Sequence, residues 1–138
     1  MRLLVLSGSR MLPTLVARLA PAGVEVEAAR TVADASRRLR ERPPEAMIVN
    51  LRPASAPWQE LRYLCESHNP CIPVLYESCV FNSPAEAGLG QLNRCGHFLV
   101  EPYTIAELRS ELGWLVHEAE HSCNQRASDG QGGDGLPH

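Results

Sequence analysis

The stretch Glu45 to Pro53, EAMIVNLRP, holds the residue on which the chemistry of this chain turns. Asn50 follows the apolar run Met47-Ile48-Val49, bounded by Pro43-Pro44 before it and Pro53 after it, which suits a short strand buried on both faces. In an open parallel sheet the carboxyl ends of the strands border the crevice where ligands bind, so the residue at this place is a candidate for chemistry. Here it is an amide, not an acid. Glu77 and Glu101 end two further apolar runs and could hold a cation with Asn50; acids at strand ends are more often simply solvated, and Glu77 is free to point away. Ser7-Gly8-Ser9-Arg10, between a strand and a helix, could cradle a phosphate or a flavin phosphate through backbone N–H groups and hydroxyls, although capping by Ser9 explains the same residues. Cys65-x2-His68-x2-Cys71 has metal-ligand spacing, and Cys95 and His97 begin a neighbouring strand at the same, amino-terminal edge. Cys65 equally fits a buried helical stripe as a small core residue. No nucleophilic triad is visible, because Asp34, on an early helix, is the one Asp inside the fold that could orient a His.

Composition narrows the options further. With 138 residues, 44% of them hydrophobic, the chain fits one domain with a substantial core. A net charge of -3 argues against a nucleic-acid or membrane partner, yet residues 1 to 44 carry eight Arg and four acids whereas the rest carries five Arg and twelve acids. The basic run Arg37-Arg38-Leu39-Arg40-Glu41-Arg42 is either a solvated helix face or a site for an acidic partner such as a second copy. There is no Lys, and Asp occurs only at 34, 129 and 134, so mechanisms that need a Lys or a cluster of Asp are excluded. The run Leu3 to Leu6 is too brief for a signal peptide or a membrane span, which implies a cytoplasmic protein. Five cysteines without regular spacing read as reduced thiols.

Strands and helices must alternate to position these residues. Leu3 to Leu6 is a first strand, and Leu12, Leu15, Val16 and Leu19 make the buried stripe of a helix capped by Ser9. Val24 and Val26 alternate with Glu25 and Glu27 as in a strand near a sheet edge, and Thr31 to Asp34 caps a second helix through Arg42. Beyond the central strand, Pro57 with Trp58, Leu61, Leu64 and Cys65 predicts a third helix. Ile72 to Tyr76 is a fourth strand, and Ser83 to Glu86 caps a fourth helix weakened by Gly88 and Gly90. Phe98 to Val100 is the fifth strand, and Thr104 to Glu107 caps the fifth and longest helix. Residues 1–121 form the domain, and 122–138, rich in Ser, Asn, Gln, Gly and Asp, read as a disordered tail. Five such units give an α/β fold, a doubly wound five-stranded parallel sheet with helices on both faces.

From Met1 to about His121 the chain resembles the receiver domains of bacterial two-component response regulators. IVNLRP is similar to that family's central strand with the phosphoacceptor at its end; IPVLYES is similar to its fourth strand, with Ser78 at the Thr/Ser position; HFLVEPY is similar to its fifth, with Phe98 at the switch aromatic and Glu101-Pro102 where the family has Lys-Pro. The resemblance implies strand order 2-1-3-4-5 and a role in signal relay. Family chemistry needs a carboxylate nucleophile, two acids after the first strand to hold a divalent cation, and a Lys to pair with the phosphoryl oxygens. Asn50 replaces the nucleophile, Ser7 and Gly8 fall where the acidic pair belongs, and Glu101 replaces the Lys with a charge that repels phosphoryl groups. The loop after Asn50 is also one residue shorter than usual before its Pro.

These departures imply a degenerate pseudo-receiver that is not an enzyme, needs no cofactor and is not phosphorylated on an aspartyl group. With no output domain after the fifth helix, it reads as a stand-alone module that signals by protein contact, to a signalling protein or to a second copy. The resemblance places docking and dimerisation on the face of the fourth helix, fifth strand and fifth helix. On that last helix Ile105, Leu108, Leu112, Leu115, Val116 and Ala119 share one face, and Trp114 points roughly opposite, near Glu111 and Glu118. Trp114 is either an exposed anchor or a cover over polar side chains, and Phe98 is either a switch or, with phosphorylation absent, a core aromatic. The other reading is a flavodoxin-like domain that binds a small molecule, nucleotide or flavin at Ser7-Gly8-Ser9.

Overall fold

The computed structural model describes residues 1–51, 67, 72–79, 81–87 and 96–132. Five parallel strands, β1 (Arg2–Leu6), β2 (Glu25–Ala29), β3 (Ala46–Leu51), β4 (Val74–Ser78) and β5 (Gly96–Val100), form one sheet in the order β2-β1-β3-β4-β5. Three helices are described: α1 (Met11–Leu19), α2 (Val32–Glu41) and a carboxyl-terminal helix, α3 (Ile105–Gly132). The doubly wound fold expected from the alternation is therefore present.

The two faces of the sheet separate cleanly by residue parity, because successive strand side chains point to opposite sides. Leu4, Leu6, Met47, Val49, Leu51, Val74 and Tyr76 pack with Ala35 and Leu39 of α2 on one face. Leu3, Val5, Ala46, Ile48, Leu75 and Leu99 pack with Leu12 and Val16 of α1 and with Leu108, Leu112, Leu115 and Ala119 of α3 on the other. Every residue of β3 is buried, as a central strand covered on both sides must be. β2 lies at an edge and keeps Glu25 exposed, matching its alternating sequence.

Caps set the helix starts. Thr31 Oγ1 accepts from the Asp34 N–H at 3.0 Å, and Thr104 Oγ1 accepts from the Glu107 N–H at 3.0 Å while Glu107 Oε1 accepts from the Thr104 N–H at 3.3 Å. α1 starts one residue later than Ser9 alone would dictate, with Arg10 at the N-cap; Ser9 Oγ accepts from the Met11 N–H at 3.1 Å and closes the turn ahead of it. The Ser83 cap also forms, with its Oγ accepting from the Glu86 N–H at 3.2 Å, but residues 84–87 are a turn and the rest of the expected fourth helix lies outside the described residues. The expected third helix, with Trp58, Leu61, Leu64 and Cys65, lies outside them as well.

α3 continues past His121 to Gly132. Propagation costs far less than nucleation, and no Gly or Pro interrupts the segment until Gly130. Ile105 is 47% exposed, not buried with the stripe, because it stands in the first turn, ahead of Leu108, the first stripe residue packed on the sheet. Among the described residues no helix is long and apolar enough to cross a membrane.

Candidate functional site

Parity also selects the residues at the carboxyl edge of the sheet. Val5, Ile48, Leu75 and Leu99 point to the face of α1 and α3, so residues two further on, Ser7, Asn50, Glu77 and Glu101, emerge on that same face where the strands end. These four line a cleft of about 570 Å³ whose other wall is α1 and its N-cap, with Arg10, Leu12, Leu15 and Arg18, and whose far side is Tyr103.

The centre of the cleft floor is Glu77. It lies opposite Asn50 in the β3–β4 register and is 2% exposed. The Asn50 amide donates through Nδ2 to Glu77 Oε1 at 2.6 Å, and the Tyr103 hydroxyl donates to Glu77 Oε2 at 2.6 Å. A buried carboxylate is tolerated only when donors replace the water it has lost, and among the described residues each oxygen receives one. Burial chiefly, then the bond to Glu77 and the negative charges of Glu77 and Glu101, push the Tyr103 phenol well above its ordinary value. It therefore stays a donor at any physiological pH.

The remaining expected site residues are placed as follows. Ser7 is buried, and its Oγ accepts from the Ser9 N–H at 3.1 Å. Gly8 is exposed and does not line the cleft; its carbonyl accepts from Arg30 at 3.4 Å. Because the Ser9 and Met11 N–H groups are engaged by the turn's own hydroxyls, and the Ser7 N–H by the Ala29 carbonyl at 3.0 Å, much of the imagined phosphate cradle is already occupied. Ser78 is fully buried but belongs to the opposite face by parity; its Oγ accepts from the Phe81 N–H at 2.8 Å, outside the cleft. Glu101 lines the cleft half-buried, and its Oε2 is buried with no hydrogen-bond donor among the described residues.

A closed metal centre finds no support in the described residues, where no group of three or more His, Cys, Asp or Glu is placed to hold an ion. Cys65, His68, Cys71 and Cys95 lie outside those residues. His97 is otherwise engaged, with Nδ1 2.9 Å from Glu111 Oε2 and its ring stacked on Trp114 at 3.4 Å between centroids.

That stack accords with the reading of Trp114 as a cover: it is half-buried against the α3 side of the core. His97 lies on the helix-covered face of edge strand β5, beneath the flank of α3 that carries Glu111 and Trp114, so the long side chains reach down to it. Glu118 is half-buried on the same flank, and Phe98 is half-buried against the opposite core, as a structural aromatic would be. Two of the α2 arginines are paired within the chain: Arg37 with Glu41 at 3.4 Å, and Arg38 with Glu27 at 3.3 Å and Asp34 at 3.4 Å.

No family model matches the chain, and no curated protein matches it. Solved structures do. A response regulator receiver protein from Sinorhizobium medicae superposes with a TM-score of 0.69 at 20% identity over 86% of this chain and 96% of its own. A chemotaxis response regulator of Vibrio cholerae gives 0.66 at 20% identity over 83% and 97%, and a non-phosphorylated receiver domain from Leptospira biflexa gives 0.65 at 20% over 83% and 93%. The chain has the receiver fold. At this identity the likeness speaks for the scaffold, and the cleft must be read from its own residues.

Of the two residues that organise the receiver-like cleft, sequence reasoning named Glu77 but left its direction open, and missed Tyr103. The direction of Glu77 was recoverable: Leu75 is an apolar residue of a buried strand, and counting two onward puts Glu77 beside Asn50. Tyr103 carried no such signal, since it follows the strand-ending Glu101-Pro102 and its direction is a property of the turn.

Proposed function

We propose that this domain relays signals by protein contact, without aspartyl phosphorylation and without catalysing a reaction. One observation carries the reading: at the strand end where a receiver would present its phosphoacceptor, Asn50 donates its amide to a buried carboxylate. An amide in that bond is no nucleophile toward phosphorus. Glu77 and Glu101 add negative charge where phosphoryl transfer needs positive charge, and the chain has no Lys to supply it. Phosphoryl transfer is thus opposed at each step that the fold would normally support.

The scaffold that remains favours recognition. The partner is a signalling protein or a second copy, docked at the β5–α3 side, where Val100 and Ile105 are 36% and 47% exposed. Nucleic acid and membranes are not partners in this reading, and the protein works in the cytoplasm. Incubation with acetyl phosphate and Mg²⁺ followed by intact mass measurement should show no change. A mass gain of one phosphate, labile to hydroxylamine as an acyl phosphate is, sinks the phosphorylation-independent part. Ile105→Asp should weaken self-association or partner capture, and unchanged recovery removes the docking face.

A further inference from the structure

We propose that His117 and His121 of α3 chelate a divalent transition-metal ion of the nickel, copper and zinc class. The run His117-Glu118-Ala119-Glu120-His121 sets two imidazoles four residues apart on one helix, the spacing at which side chains of successive turns stand over one another. Both residues are exposed, and their rings already meet edge to face, with centroids 4.6 Å apart. Two imidazole nitrogens on one ion lie roughly 3 Å apart, given metal–nitrogen distances of about 2.0 to 2.1 Å. Exposed rings turning in their broad χ2 wells reach that separation from edge contact without moving the helix.

Packing does not account for the pair. The buried stripe of α3 is Leu108, Leu112, Leu115 and Ala119, and His117 and His121 lie about 140° and 180° around the helix from Leu112. His97 is held by Glu111 and Trp114, whereas neither His117 nor His121 has a hydrogen bond or ion pair among the described residues. Gly113, one turn ahead of His117, keeps the approach open, since a Cβ there would meet nothing within 4 Å. The exposed Glu120 adds a negative charge that favours a cation. Imidazole donors select nickel, copper and zinc over magnesium and calcium, which require oxygen ligands. The H-E-x-x-H spacing is also that of hydrolytic zinc sites, but those need a third protein ligand, and no group of three His, Cys, Asp or Glu comes together among the described residues. The pair is therefore a half-site whose ion keeps its remaining positions for water. It involves neither Asn50 nor the docking face at Val100 and Ile105, so this proposal and the functional reading fail separately.

The test is calorimetric titration of the full chain with Ni²⁺, then with Zn²⁺, at about pH 7.5, where imidazole is free to bind metal. Two rings on one helix turn act as a chelate, so His117→Gln and His121→Gln should each weaken Ni²⁺ binding roughly tenfold or more, and the double variant should bind no more weakly than either. The double variant also reports what all other donors in the chain bind. Two further variants separate spacing from the number of histidines. His121→Gln with Gly113→His keeps the four-residue spacing at a position with room for a side chain and should restore binding. His121→Gln with Ser110→His sets the rings seven residues apart, about 10.5 Å along the helix, and should not. All four positions are exposed, so the metal-free melting midpoints should stay near that of the parent, while Ni²⁺ should raise the midpoint of the parent and leave that of the double variant unchanged. Equal Ni²⁺ affinity in the parent and the double variant overturns the proposal, as does full binding by the pair seven residues apart.

Discussion

Replacing Tyr103 by Phe removes one oxygen and tests what holds the cleft together. That hydroxyl donates to Glu77 Oε2 at 2.6 Å, and Glu77 is 2% exposed, so no water readily takes its place. Deleting a donor to a buried carboxylate should cost about 2 kcal/mol, within the range for charge-assisted bonds. For a domain of this size that is a fall of about 6 to 8 °C in melting midpoint. The pH dependence has a definite sign. Burial first, then the bond to Glu77, raise the Tyr103 pKa above its ordinary 10.0, so the folded chain holds the phenolic proton more tightly than the unfolded chain does. This contribution is complete below the unfolded value and is lost as pH rises beyond it, by up to about 1.4 kcal/mol per pH unit. Phe has no such proton. Urea unfolding of both proteins at about pH 7, 9 and 10.5 should therefore give a constant gap at the lower two and a narrower one at the highest. The other titrating groups are common to both chains and cancel. A loss below about 0.5 kcal/mol at neutral pH, the range of ordinary surface substitutions, would refute the buried hydrogen bond, and a gap that does not narrow would refute the raised phenol.

Asn50→Asp sets a second carboxylate against Glu77 and should raise the pKa of the new acid; since raised acids stabilise only while protonated, the variant should lose stability as pH rises from about 5 to 7, and it should still take up no phosphate. Stability that is flat over that interval counts against the geometry. Thr31→Ala should cost about 1 kcal/mol by removing the α2 cap, measured by urea midpoint, with no change expected if the Asp34 amide finds another partner. Trp114→Ala should cost about 2 kcal/mol through lost burial and the His97 stack; a stability like that of the parent protein would restore the view of Trp114 as a free surface anchor. Arg37 holds the Asp34 carboxyl below its usual 3.8, a contribution present above that value and lost as pH falls through the lowered one, so Arg37→Gln should reduce the acid stability difference slightly.

The elements were legible because each rested on a local rule. The Thr104 capping box, the Leu12 and Val16 stripe and the buried run Met47 to Val49 are all patterns among residues close together in the chain. Local rules did not reach residues whose environment comes from elsewhere in the chain. Trp114 faces away from its own helix's stripe, yet β5 lies under that flank; Ser78 sits at a strand end, yet one residue of parity turns it from the cleft.

From the order of its residues alone, this chain fixes an alternating α/β scaffold and the lack of Lys or clustered Asp for phosphoryl transfer, because periodicity and residue identity are properties of the chain itself. Only folding decided that Glu77, Asn50 and Tyr103 meet in one buried network. These residues come from β4, β3 and the turn after β5, and hydrogen bonds of 2.6 Å between segments so far apart in sequence depend on strand register and turn direction, which no local pattern encodes.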